Sequence, residues 1–251
     1  MSKSNGASSA ARVYPAGRAV LLYAFASPEL AGRRFTIEGR RVQTIRYGSL
    51  ALLVGFADRE AYANEQVERR RGDAGWLRTE ARIHEQAVER AAAHAAVVPA
   101  RLLSIYGSPE ALEQAVRQTY VRWSRQLARY SGKHEYVLHA FTGPHPAPGL
   151  DSYLLRVSAR AARTSRVPVP KAPPPVAAAV QSLWKACAAG ASAVRALQRP
   201  TGRGALGSVA YLIDAGGEEA LRAAVAEAMP AAATLGIAYY LEGPRLPFTF
   251  A

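Results

Sequence analysis

A chain of 251 residues allows one large domain or two of about 100–150 residues. Its 49% hydrophobic content supplies a sizeable core, yet its longest apolar runs, such as Leu50 to Ala57, stop at about ten residues, against roughly 20 for a membrane-crossing helix. The net charge of +13 points to acidic partners, and a single cysteine, Cys187, excludes a disulfide framework and a cysteine-based zinc site.

Residues 1–12 are small and polar and lack the apolar stretch of a signal peptide, which points to the cytoplasm. Ala19 to Ala26 is a continuous apolar run closed by Ser27-Pro28, the pattern of a buried strand. Arg41 to Arg46 alternates, Tyr47-Gly48-Ser49 turns, and Leu50 to Ala57 returns as the second strand of a hairpin. Asp58 is a candidate cap for a helix through Arg70. Asp73 is a candidate cap for a second helix from about Gly75 to Ala95, and a short strand follows to Leu103.

Ser108-Pro109-Glu110 combines a capping serine, proline at the first helical position and an early acid, and Ser131-Gly132 stops the helix after Tyr130. Glu135 to Phe141 alternates as a strand, residues 143–149 form a loop, and Asp151 to Arg163 fits a helix. Val167 to Pro175 reads as an extended Pro-rich linker with high protease sensitivity. Then come an Ala-rich helix over Val176 to Ala193, a strand over Ala205 to Asp214, a helix from Gly217 to Thr234 and a strand from Ile237 to Glu242. Gly243-Pro244 ends that last strand, because proline has no donor for the ladder.

The order of elements is α+β in two parts, each a small mixed or antiparallel sheet covered by helices. Residues 1–106 form the first domain. Residues 107–251 form the second, which reads β-α-β-α-β, or, if Ser192 to Arg199 is a short strand, β-α-β-β-α-β, the split βαβ order of ferredoxin-like folds.

Chemistry is sparse along this scaffold. His84-Glu85 begins like the zinc-protease signature His-Glu-x-x-His, but Val88 stands where the second ligand belongs. His94 lies about 80° around the helix and roughly 15 Å along it, too far to share a metal with His84. Leu77, Ala81, Val88, Ala91 and Ala95 form an apolar stripe with one position skipped, and His84 fills it. It reads as a hydrogen-bonded histidine at the core edge, with Glu80, Arg82, Glu85, Glu89 and Arg90 on the solvated face. Gly202 to Gly207 matches Gly-x-Gly-x-x-Gly but opens no helix, so it reads as a flexible loop rather than a dinucleotide site. Cys187 sits in the Ala-rich helix and reads as buried. No catalytic residue, metal ligand or cofactor site emerges.

The basic excess has two sources of meaning. Only four of the 32 basic residues are lysine, a bias that a GC-rich genome produces without selection for charge. Residues 1–106 carry 16 basic and 10 acidic groups and residues 107–251 carry 16 and 9. That even spread argues against a nucleic-acid arm, although a basic nucleic-acid-binding α+β protein is the alternative function.

Several stretches taken together resemble the GvpL/GvpF gas vesicle proteins: the opening strand LLYAFAS; the block Trp76-Leu77, His84, Val88 and Val98-Pro99-x-Arg101; the Glu-headed strand His134-Glu135-Tyr136-Val137-Leu138; and Ala210-Tyr211-Leu212-Ile213 with the ending Leu241-Glu242-Gly243-Pro244-Arg245-Leu246-Pro247-Phe248-Thr249-Phe250. The resemblance implies a modified ferredoxin-like C-terminal domain and a minor, non-catalytic, vesicle-associated role in the cytoplasm. It also implies contact with the small apolar wall protein and other accessory proteins, no cofactor and no membrane insertion. It leaves oligomeric state open. A gas-filled shell needs an aggregation-prone apolar subunit, and such a subunit needs soluble partners to cover its surface. Leu246, Phe248 and Phe250 alternate in the tail and are the candidate partner-binding residues, against a reading in which they pack on the protein itself.

Overall fold

β1 (Arg18–Ala26) is apolar at almost every position because it is buried on both faces. The computed structural model describes residues 15, 17–143, 172–197 and 204–250. β1 lies between β4 (Leu50–Asp58) and β5 (Val97–Pro99) in a six-stranded sheet, with β3 (Arg40–Tyr47) and β2 (Arg34–Ile37) beyond β4. β6 (Ile105–Tyr106) also pairs with β1. All these pairings are antiparallel. The expected β3–β4 hairpin is present, with Tyr47 opposite Leu50 and Gly48 at φ +60°, a left-handed position that suits glycine. β2 and β6 carried too little periodic signal to be expected from sequence.

Asp58 ends β4 and caps no helix. Its carboxylate accepts from the Glu60 and Ala61 amides at 3.0 and 2.9 Å, which closes a turn, and α1 (Asn64–Arg70) starts later. Asp73 does cap α2 (Ala74–Ala92), accepting from Gly75 and Trp76. The strand expected to reach Leu103 stops at Pro99, because Ser104 N–H returns to the Arg101 carbonyl and Leu103 turns to φ +61°. α3 (Pro109–Tyr130) begins at Ser108, whose hydroxyl accepts from the Ala111 amide.

The second sheet holds β10 (Ile237–Arg245), β7 (Lys133–Thr142), β9 (Ala205–Asp214) and β8 (Ala193–Ala196), in that spatial order and all antiparallel. α4 (Pro174–Ala189) follows β7 among the described residues, and α5 (Glu218–Thr234) joins β9 to β10. Pro174 and Pro175, expected in the linker, open α4. Proline is tolerated in a first helical turn because those amides have no intrahelical acceptor. The rest of the linker through Lys171, the loop residues after Gly143 and the helix expected over Asp151 to Arg163 lie outside the described residues.

Gly243-Pro244 does not end β10: pairing with β7 is interrupted after Glu242 and resumes with Arg245 opposite Glu135. β10 is an edge strand among the described residues, where a bulge absorbs the proline and its missing donor. Ala205 to Gly207 belong to β9 rather than to a loop, and a Cβ on Gly207 would lie 2.7 Å from the Trp184 ring.

One apolar cluster joins the two sheets, and each sheet has a further cluster on its other face. On one face of the first sheet, Leu21, Tyr23, Val42 and Leu53 pack on Ile83, Ala87, Val88 and Ala91 of α2. On its other face, Val20, Leu22, Phe25 and Leu52 pack with Leu112, Val116 and Leu127 of α3 and with Val137, Ala210 and Leu212 of the second sheet. α4 and α5 cover the far face of the second sheet through Val180, Trp184, Leu221 and Val225.

Candidate functional site

The C-terminal tail lies where the two sheets meet. Beyond Arg245 the chain turns instead of staying extended, with Phe248 N–H on the Leu246 carbonyl at 2.7 Å and Phe250 N–H on the Pro247 carbonyl at 3.2 Å. The three alternating residues therefore part company. Leu246 and Phe248 are half-buried against the cluster that holds α2 to the first sheet, and the Phe248 ring lies 6.0 Å from that of His84. Phe250 is buried in the shared core.

Polar groups from both halves hold this turn. The buried Glu135 carboxylate accepts from the Thr249 amide at 2.7 Å and from its hydroxyl at 2.6 Å. Tyr130 Oη donates to the Phe250 carbonyl at 2.6 Å, and Arg195 donates to the Thr249 carbonyl while its guanidinium lies 5.2 Å from the Phe250 ring. Arg245 bridges outward, reaching Glu242 at 2.5 Å and Glu85 on α2 at 3.2 Å. Alternation along the tail marks only its apolar residues. A lone acid at the head of an otherwise apolar strand, Glu135, was the available sign of a buried polar anchor.

His84 is deeper than the core edge, at 2% exposure. Burial pushes its pKa from 6.5 down to about 4, against backbone hydrogen bonds at Tyr23 and Ala100 and the nearby Glu80 charge, which raise it. Glu80 is not on the solvated face either. It is buried and takes a bidentate pair from Arg40, at 2.7 and 2.8 Å, and the Tyr62 hydroxyl at 2.6 Å. α2 thus turns Glu80 inward because Arg40 waits on β3, and His84 inward toward the backbone at Tyr23 and Ala100. His84 and Glu80 line a cleft with Tyr23, Leu103 and Ser104 that has room for about one water molecule. Cys187 is buried, and burial pushes its thiol up to about 11, far from a reactive thiolate. Among the described residues no group of three His, Cys, Asp or Glu side chains is placed to hold a metal ion, and no helix is long and apolar enough to cross a membrane.

The depressed pKa gives His84 a measurable role in folding. Between pH 6.5 and 4 the unfolded chain binds a proton that the folded chain refuses. His84 therefore carries no titration cost above pH 6.5, and as pH falls toward 4 it destabilises the folded state by up to about 3 kcal/mol. His84→Gln is expected to flatten this part of the acid dependence while leaving partner binding intact and costing little stability at pH 7. Urea midpoints of both proteins at pH 7 and 4.5 check it; identical pH dependence of the two would contradict the assignment.

Two antiparallel sheets with five described helices and a C-terminal turn pinned at their seam define a mixed α+β protein closed on itself by its own tail. Residues 19–251 match the family model described as gas vesicle synthesis protein GvpL/GvpF, and the chain belongs to that family. Its fold is similar to that of the gas vesicle protein GvpF from Anabaena sp. PCC7120, with 14% identity, a TM-score of 0.65 and coverage of 93% of this chain and 98% of that one. It is also similar to GvpF from Microcystis aeruginosa, with 14% identity, a TM-score of 0.61 and coverage of 92% and 98%. No curated protein gives a significant match to the sequence.

Proposed function

We propose that this protein is a non-catalytic minor structural or assembly component of gas vesicles, acting in the cytoplasm and binding the small apolar wall protein and other accessory proteins during vesicle formation. The family match across residues 19–251 carries the reading. Within it, we assign the half-buried Leu246 and Phe248 to wall-protein contact, with Phe250 holding the turn in place. The domain division at residue 106 and the ferredoxin-like character of the second part belong to the same proposal. The latter is supported by a strand order in which the fourth, first, third and second strands of the unit stand side by side.

The test is genetic and biochemical. Removing the gene from a vesicle-forming host is expected to abolish or deform vesicles, and a tagged copy is expected to restore them and to co-purify with the wall protein. Normal vesicles without the chain would overturn the proposal. So would tight binding to random duplex DNA at physiological salt with no capture of vesicle components, which would favour the nucleic-acid alternative.

A further inference from the structure

Beyond its first turn the outer face of α3 carries four arginines. Beyond Glu110 and Glu113 near its start, the helix carries no acid through Tyr130. Its exposed arc contains Arg117, Arg122, Arg125 and Arg129 together with Gln114, Gln118 and Val121. At 100° per residue these seven positions span about 140° of the helix surface, and Arg117 to Arg129 extends about 18 Å along the axis. None of the four arginines forms an ion pair with another described residue.

This arrangement works against the isolated helix. Arg122 and Arg125 are three apart, and Arg125 and Arg129 four apart, so both pairs are like-charge neighbours. Only Arg129, in the last turn, is favoured by the helix dipole. Two of the guanidiniums are already positioned: Arg122 lies 5.0 Å from the Trp123 ring centre and Arg129 lies 5.8 Å from that of Tyr130. A guanidinium held by an aromatic face keeps its donor fork free for bidentate carboxylates.

We propose that this face docks an acidic α-helix of a partner protein, whose carboxylates pair with Arg117, Arg122, Arg125 and Arg129 around a small apolar contact on Val121. Val121, 59% exposed, is the most exposed large apolar side chain among the described residues and lies within the arginine arc. An apolar residue there has something to pack on in a helix and nothing in a phosphate backbone. Nucleic acid is further disfavoured because the face lacks an exposed aromatic ring for bases: Trp123 stacks on Phe25 at 4.1 Å, and Tyr120 is engaged with Ser49 at 2.6 Å. The assignment rests on the partner-binding reading above and names the chemistry of one partner. The face is separate from the C-terminal tail.

The probe is a synthetic helical peptide with glutamates at four-residue spacing flanking a leucine, compared with its glutamine version and with a random DNA duplex. Wild type is expected to bind the glutamate peptide in a salt-dependent manner and to bind the other two more weakly. Arg122→Glu with Arg125→Glu, and separately Arg122→Gln with Arg125→Gln, should retain the thermal midpoint and lose about tenfold or more in affinity. Equal peptide affinity of variants and wild type, or tighter binding of wild type to the duplex, overturns the proposal. Complementation keeps the two readings apart: charge-reversed protein that restores vesicles fully, where the deletion does not, overturns the role of this face and leaves the proposed function standing.

Discussion

Replacing Glu80 with alanine is expected to cost about 3–5 kcal/mol of stability, because it strands a desolvated guanidinium. The Arg40 side chain is 16% exposed and that of Glu80 5%, and the two meet through parallel contacts of 2.7 and 2.8 Å. Arg40 also donates to Tyr62 Oη at 2.7 Å and to Tyr23 Oη at 3.3 Å. Burial works against the Arg40 charge, but Glu80 and Tyr23 outweigh it and hold the group above its ordinary range. Burial first, and then the hydrogen bond to Glu80, holds the Tyr62 phenol well above its usual range, so it stays a donor at neutral pH.

The network therefore ties β3, α2, the turn before α1 and β1 at one point. It is not a surplus of stability in itself. Replacing both Arg40 and Glu80 with methionine is expected to restore most of what either single change loses, since desolvation of the ions offsets much of their attraction. A double-mutant cycle in urea measures this directly. A loss below about 1 kcal/mol for Glu80→Ala would show that the pair behaves as a solvated surface bridge.

The backbone plan was legible in the sequence where local rules act alone. Asp73 and Ser108 cap their helices, Gly48-Ser49 turns the hairpin, and the unbroken apolar run after Arg18 marks a strand buried on both faces. Helical periodicity also placed His84 on the packed side of α2. It failed for Glu80, because a carboxylate is assigned to the solvated face by its own polarity, and its partner Arg40 lies 40 residues away on another element. The same limit hid the anchoring of the tail. Alternation of Leu246, Phe248 and Phe250 treats the segment as extended, whereas Glu135, 114 residues earlier, takes up Thr249 and helps fix a turn. Proline rules misjudged Pro174, Pro175 and Pro244, because first helical turns and edge-strand bulges are the places where a missing donor costs little.

Deleting residues 246–251 is expected to lower stability by about 5 kcal/mol, a large part of the roughly 5–15 kcal/mol that holds a domain folded. Phe250 alone, 2% exposed in the core shared by the two sheets, accounts for about 3–5 kcal/mol when its ring is removed. Loss of the two donors that Thr249 gives to the buried Glu135 carboxylate adds about 1.5–3 kcal/mol for hydrogen bonds to a charged group. The chain freedom regained by the deleted segment offsets part of the sum. At this chain length the net loss corresponds to a fall of about 10–20 °C in thermal midpoint. Phe250→Ala should reproduce most of it, while Leu246→Ser and Phe248→Ser, on the half-buried side of the turn, should cost less stability and more wall-protein binding. A truncated protein that melts with wild type but no longer captures the wall protein would make the tail an interface rather than a seam. One that changes in neither respect would remove both roles from these residues.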